Sequence, residues 1–181
     1  MLQITIPSVE AWDESRQEFV SFKEQTLQLE HSLVSLSKWE SRWHKAFLSN
    51  NDKTEEELLD YIRCMTLTQN VNPNTYICLT SKNLEQIKAY IDDPMSATII
   101  NNRSIGNKNS REVVTSELIY YWMIALNIPP EYQKWHLNRL LKLIEVCNIK
   151  NTPPKKRSKF EIMSRNAALN ASRREKLGTS G

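Results

Sequence analysis

Apolar and polar residues alternate with a period of two at Leu2-Gln3-Ile4-Thr5-Ile6 and again at Leu27-Gln28-Leu29. That period predicts two strands, each with one buried face. Pro7 and the Asp13-Glu14-Ser15 region separate them, so the pattern is strand, excursion, strand. Phe19 to Phe22 is read as extended too. A two-stranded pair is marginal in water and has to pack on helices. From about Ser32 the period changes. Leu36, Trp39, Trp43 and Phe47 recur at spacings of three and four, which places four large apolar groups on one helix face. Lys38, Glu40, Ser41, Arg42 and Lys45 fall mostly on the other. Ser49 to Lys53 reads as a loop. Thr54 with Glu57 then forms a capping box, and Glu55 and Glu56 suit the positive end of the helix dipole. Leu58, Leu59, Ile62 and Met65 form the expected buried side of that helix.

Asn72-Pro73-Asn74 marks a turn, followed by a short helical turn holding Tyr76 and Leu79. Thr80 or Ser81 caps the next helix, with Leu84, Ile87, Tyr90 and Ile91 inward. Pro94 ends it, because proline disfavours helix at the residue before it. Residues 101–110 are the most polar loop of the body. Ser110 opens the longest apolar helix, running through Val113, Val114, Leu118, Ile119, Tyr121, Trp122, Met123, Ile124, Ala125 and Leu126. It is apolar nearly all round after Glu117, and such a helix is expected at the centre of a core. Ile128-Pro129-Pro130 breaks it. An amphipathic helix with Trp135, Leu137, Leu140, Leu141, Ile144 and Cys147 follows, expected to pair with it as a hairpin. Thr152-Pro153-Pro154 is a stiff break. Ser158 with Glu161 is a further capping box, opening a final helix from about Lys159 to Leu177. The predicted fold is mainly α, of the α+β kind: a small N-terminal antiparallel β-hairpin packed on a helical bundle, with a projecting basic C-terminal helix. Residues 1–152 form the helical domain, and 153–181 the Pro-Pro linker and basic helix.

Charge sharpens that division. The 181 residues carry a net +3. Residues 153–181 hold eight basic and two acidic side chains, a net +6, which leaves −3 on residues 1–152. Basic appendages of this kind meet nucleic acid or an acidic partner, or serve as a solvated helix. Phe160 is the tail's one aromatic residue, so it has no stacking platform for single strands. Phosphate contact is the form nucleic-acid binding would take, as a lesser reading.

Chemistry is thin. There are three glycines, and no G-x-G-x-x-G, G-x-x-x-x-G-K-[ST], G-x-S-x-G or H-E-x-x-H motif. Cys64, Cys78 and Cys147 contain no C-x-x-C pair and read as reduced thiols. Glu40 and His44, four apart, read as an ordinary surface pair and not as metal ligands. No cofactor, metal or small-molecule substrate is expected, and an enzyme is the least favoured class. No apolar run approaches the roughly 18 residues of a spanning helix. The first seven residues lack the basic and apolar regions of a secretion signal. Five tryptophans stand out. Core packing accounts for Trp39, Trp43, Trp122 and Trp135. The alternative for the Trp39–Trp43–Phe47 face is a surface that accepts apolar partner helices.

Several stretches together resemble a family. They are Leu29-Glu30-His31-Ser32-Leu33-Val34-Ser35-Leu36-Ser37-Lys38-Trp39-Glu40-Ser41, Tyr61-Ile62-Arg63-Cys64-Met65-Thr66-Leu67-Thr68, Glu117 to Pro129, Trp135-His136-Leu137-Asn138-Arg139-Leu140, and Met163-Ser164-Arg165-Asn166-Ala167-Ala168-Leu169-Asn170. They resemble proteins of the tail-morphogenesis region of tailed bacteriophages and prophages, the tail assembly chaperones. The resemblance implies a non-enzymatic protein of the host cytoplasm that masks apolar helices of the tape-measure protein until tail tube protein arrives. It carries no catalytic motif. Partner contacts would fall to Trp39, Trp43 and Phe47 on the body. On the tail they would fall to Lys155, Lys156, Arg157, Arg165, Arg173 and Arg174. The other classes kept open are a structural virion component of the tail or head–tail junction, and a nucleic-acid-binding regulator using the basic helix.

Overall fold

The computed structural model describes residues 1–13, 17–49, 52–100, 113–152 and 159–178. The chain divides into two units, Met1–Asn148 and Ile149–Gly181.

In the first unit the period-two segments are strands β1 (Leu2–Ile6) and β4 (Gln25–Leu29), paired antiparallel from Leu2 opposite Leu29 to Ile6 opposite Gln25. Ile4, Ile6, Leu27 and Leu29 are buried, while Gln3, Thr5, Thr26 and Gln28 face out. This is the in–out alternation that a half-buried sheet requires. The excursion holds a hairpin of its own, β2 (Val9–Asp13) paired antiparallel with β3 (Glu18–Phe22).

The end of β4 is the knot of the unit. Glu30 N–H donates to the Met65 carbonyl and Leu67 N–H to that of Gln28, at 2.9 and 2.8 Å. On the other side Leu137 N–H donates to the His31 carbonyl at 2.7 Å. Segments far apart in sequence therefore share the backbone groups of Gln28 to His31, which leaves few buried amides unpaired.

Helix α1 (Leu33–Trp43) starts at Ser32, whose hydroxyl accepts from Ser35 N–H while Ser35 Oγ accepts from Ser32 N–H. It ends at Trp43, with His44 left-handed at φ 52°. Phe47 therefore enters the core from the turn after the helix, not from the helix face on which its spacing placed it. Helix α2 (Glu55–Met65) carries the Thr54–Glu57 capping box. Leu58 is exposed, and Glu57 and Asp60 are buried in its place with Tyr61, Ile62, Cys64 and Met65. A 3₁₀ turn at Pro73–Cys78 buries Tyr76, and α3 (Ser81–Asp92), capped by Thr80, packs on β1. Leu84 of α3, expected inward, is exposed, while Ile87 and Tyr90 are buried. The sequence loop at 101–110 lies outside the described residues.

The largest departure concerns α4 (Ser116–Ala125) and α5 (Leu137–Asn151). The central helix is α1, which touches α2, α4 and the 3₁₀ turn Pro130–Lys134. Expected to be the longest apolar helix, α4 has 10 residues. It begins at Ser116 after its Thr115 cap and lies on α1 with Ile119 and Met123 inward. Ser110, the expected start, lies outside the described residues. The expected α4–α5 hairpin is not among the principal pairings of the described elements. The connection between these helices is itself structured. Tyr132 stacks on Trp135 with centroids 4.0 Å apart, and the Arg139 guanidinium lies 4.2 Å from the Trp135 ring centre. Leu137, Leu140 and Ile144 are the buried residues of α5.

The second unit contains α6 (Lys159–Leu177), whose bounds are those the sequence suggested. Its charged and large apolar side chains are exposed wherever described. Pro153 to Ser158, with the linker prolines and the Ser158 cap, lie outside the described residues.

Candidate functional site

The aromatic residues of the Trp39–Trp43–Phe47 pattern do come together, but around a core. The Trp39 ring centre lies 6.2 Å from Trp43, 5.0 Å from Phe47 and 6.5 Å from Tyr61, and Phe47 stacks on Tyr61 at 3.8 Å. Trp39 is 1% exposed and Phe47 9%. The indole N–H of Trp39 donates to the Glu57 carbonyl at 2.8 Å, so its polar edge is satisfied inside. Trp43 is half-buried, and its indole N–H donates to Asp60 at 2.9 Å. Arg42 pairs with Asp60 and Lys45 with Glu57. In this arrangement Trp39 and Phe47 line the interior that α1 shares with its neighbours, and they offer a partner no surface. Of the basic residues singled out, Arg165, Arg173 and Arg174 are exposed on α6. Lys155, Lys156 and Arg157 lie outside the described residues.

Glu40 is not half of a surface pair with His44. It is buried, whereas His44 is exposed. One carboxylate oxygen accepts from Phe47 N–H at 3.0 Å and the other from Ser116 N–H at 2.7 Å. Ser116 is the first residue of α4, where backbone N–H groups lack partners within the helix. A carboxylate there satisfies a donor and complements the dipole. Thr115 Oγ1 adds a cap to Leu118 N–H at 3.4 Å. At the far end Ile128 N–H donates to the Met123 carbonyl at 2.8 Å, and Asn127 adopts φ 52°.

Fixed at both ends, α4 shows solvent an apolar side. Tyr121 is 63% exposed and Ile124 76%. They sit four and seven residues after the exposed Glu117, in line along the outer face, beside half-buried Leu118 and exposed Ala125. Val113, just upstream, is exposed as well. Sequence reading missed this face because an all-apolar helix suggests full burial. The signal available was that Tyr121 and Ile124 follow Glu117 at helical spacing.

A second cluster is interior. His31 Nδ1 lies 2.6 Å from the Tyr61 hydroxyl, and the His31 and His136 ring centres are 5.1 Å apart. His136 Nε2 lies 2.9 Å from the Tyr90 carbonyl, and the Tyr90 hydroxyl donates to Glu30 at 2.7 Å. Burial first, and the neighbouring His136 second, push His31 down to about 3. Burial also pushes the Tyr61 and Tyr90 phenols and the Cys64 thiol up. His136 Nδ1 is buried without a hydrogen-bond partner. Both imidazoles are enclosed, and their contacts tie β4, α2, α3 and α5 together. Among the described residues no group of three or more His, Cys, Asp or Glu could hold a metal ion, and no helix is long and apolar enough to cross a membrane.

Comparison of the chain with protein-family models, with curated proteins and with solved structures finds no match.

Proposed function

We propose that this protein is a non-enzymatic tail assembly chaperone of a tailed bacteriophage or prophage. In this reading it works in the host cytoplasm and masks apolar helices of the tape-measure protein during tail morphogenesis, through the outer face of α4. The class of function rests on the resemblance of Leu29–Ser41, Glu117–Pro129 and the other stretches named above. One structural observation supports the site: Tyr121 and Ile124 stand exposed on a helix held at its start by Glu40. An apolar surface fixed in advance loses little entropy when an apolar helix docks on it. A long tape-measure helix with bare apolar faces would aggregate until tube subunits enclose it, and a transient cover prevents that.

Co-expression with the tape-measure protein from the same genome tests the reading. A soluble complex of the two is expected, and tape-measure protein that stays insoluble regardless overturns it. Mass spectrometry of purified virions addresses the structural-component alternative. A chaperone leaves the particle, so recovery of this chain in stoichiometric amount would replace the chaperone reading with that one.

A further inference from the structure

Helix α6 has two different sides. With about 3.6 residues per turn, Asn166, Asn170 and Arg173 fall in line along one side at i, i+4 and i+7. Arg165 and Lys176 flank that line on one edge and Arg174 on the other, with Lys159 at its N-terminal end. Ile162, Met163 and Leu169 are interleaved with them. Glu175, Ser164, Ser172 and Ala168 occupy the opposite side. All of these side chains are exposed.

The arrangement discriminates among partners. A helix lying on a membrane separates its cations from its apolar residues onto different faces. Here they share one face. A groove that accepts an apolar helix needs a continuous apolar stripe, which Asn166, Asn170 and Arg173 interrupt. A duplex major groove suits the pattern. It admits an α-helix, and its two walls are phosphate backbones that meet flanking cations. Its floor presents donor and acceptor edges that Asn and Arg side chains match, and thymine methyls that contact apolar groups. From Lys159 to Lys176 the helix covers about 26 Å, ample for the groove. A-form RNA has a major groove too narrow for a helix, so DNA is the matching duplex.

We propose that α6 is a duplex-DNA-binding helix. Arg165, Arg174 and Lys176 contact phosphates, and Asn166, Asn170 and Arg173 face the base edges. This inference does not depend on the tail-assembly reading.

The test is fluorescence anisotropy of the full chain on a labelled mixed-sequence DNA duplex, with single-stranded DNA and poly-glutamate as competitors. Binding at about 50 mM salt is expected, weakening as salt rises, with a log–log slope of roughly −2.7 for the three phosphate contacts. The R165E/R174E/K176E variant should lose at least about tenfold in affinity and flatten the slope. E175Q, on the other side, should bind within about twofold of the wild-type chain or more tightly. Circular dichroism on each variant checks that α6 is retained. If the triple variant loses helix, R165A and R174A singly serve instead, each expected to lower the slope by about one. No duplex binding at low salt overturns the proposal. So does equal affinity for single strands, and so does poly-glutamate binding as tightly as the duplex, which would assign the face to an acidic protein partner.

Discussion

The carboxylate of Glu40, in the second half of α1, accepts the backbone N–H of Ser116 at 2.7 Å across 76 residues of sequence. Its other oxygen holds Phe47 N–H. One buried side chain therefore sets where α4 begins and closes the turn that brings Phe47 inward. Hydrogen bonds to a buried charge are worth about 1.5–3 kcal/mol each, and an orphaned buried donor costs a comparable amount. Glu40→Gln keeps the shape but replaces one of its two oxygens with an amide NH2 group, which donates and cannot accept. We expect a loss of about 1–3 kcal/mol in urea unfolding. Faster hydrogen exchange at the Ser116 or Phe47 amide should accompany it. Unchanged stability with unchanged exchange would show that the carboxylate does not position α4.

The outer face of α4 separates binding from folding. Tyr121 and Ile124 are exposed, so polar replacements there should change stability by no more than about 0.5 kcal/mol. Tyr121→Glu with Ile124→Glu should nonetheless abolish solubilisation of the tape-measure protein in co-expression. A double variant that folds normally and still solubilises its partner would remove α4 from the interface.

Local signals carried much of this fold. The period of two located β1 and β4, the Thr54–Glu57 box located the start of α2, and residues 159–177 proved helical between the bounds expected. What the pattern could not supply was which helix lies at the centre. Helix α4 is the more apolar, yet α1 is the one that packs against α2, α4 and the 3₁₀ turn at once, because helix position depends on contacts distant in sequence. The Glu40–Ser116 bond is such a contact, and Glu40 in isolation looks like any charged residue on a polar helix face. Thr80 was legible as a cap, but the reciprocal halves of two capping boxes escaped for a related reason. Ser35 and Asn83 do at the third helical position what Glu57 does in α2, but neither spells the usual box. The same limits moved the candidate surface from Trp39 and Phe47 to Tyr121 and Ile124. Helical spacing shows that aromatic residues share a side, and not whether that side faces protein or water.

Trp39 tests the core directly. Its ring meets Trp43, Phe47 and Tyr61, and its N–H is bonded to the Glu57 carbonyl. Trp39→Ala should cost about 3–5 kcal/mol through the cavity it leaves. Trp39→Phe keeps most of the apolar volume but loses the indole hydrogen bond to a carbonyl that retains its own partner within α2, for about 0.5–1.5 kcal/mol. Denaturant midpoints in the order wild type, Phe, Ala are expected. Equal midpoints for wild type and Trp39→Ala would mean that the ring is not enclosed.

Acid should loosen the unit through His31. Its folded pKa lies at about 3 against 6.5 for the ordinary imidazole, because burial disfavours the charged ring and His136 adds to the effect. The folded state keeps His31 neutral while the unfolded chain takes up a proton below pH 6.5. The unfolded state therefore binds more protons between these two values, and stability falls as pH drops through that window. The slope is at most about 1.4 kcal/mol per pH unit and flattens below about pH 3, where both states are protonated. Glu57 acts in the same sense at lower pH. The Lys45 ammonium, and then the Thr54 N–H, hold its carboxyl below the usual glutamate range, so its contribution is present above the ordinary glutamate pKa and disappears as pH falls through the lowered one. Urea midpoints measured from pH 7.5 to 4.5 should therefore decline steadily from about pH 6.5, before ordinary carboxylates titrate. In His31→Gln that early decline should shrink, leaving chiefly the drop below the glutamate range. A wild-type profile flat down to pH 5 would show that His31 is protonated in the folded protein and that the His31–His136 contact is open to water.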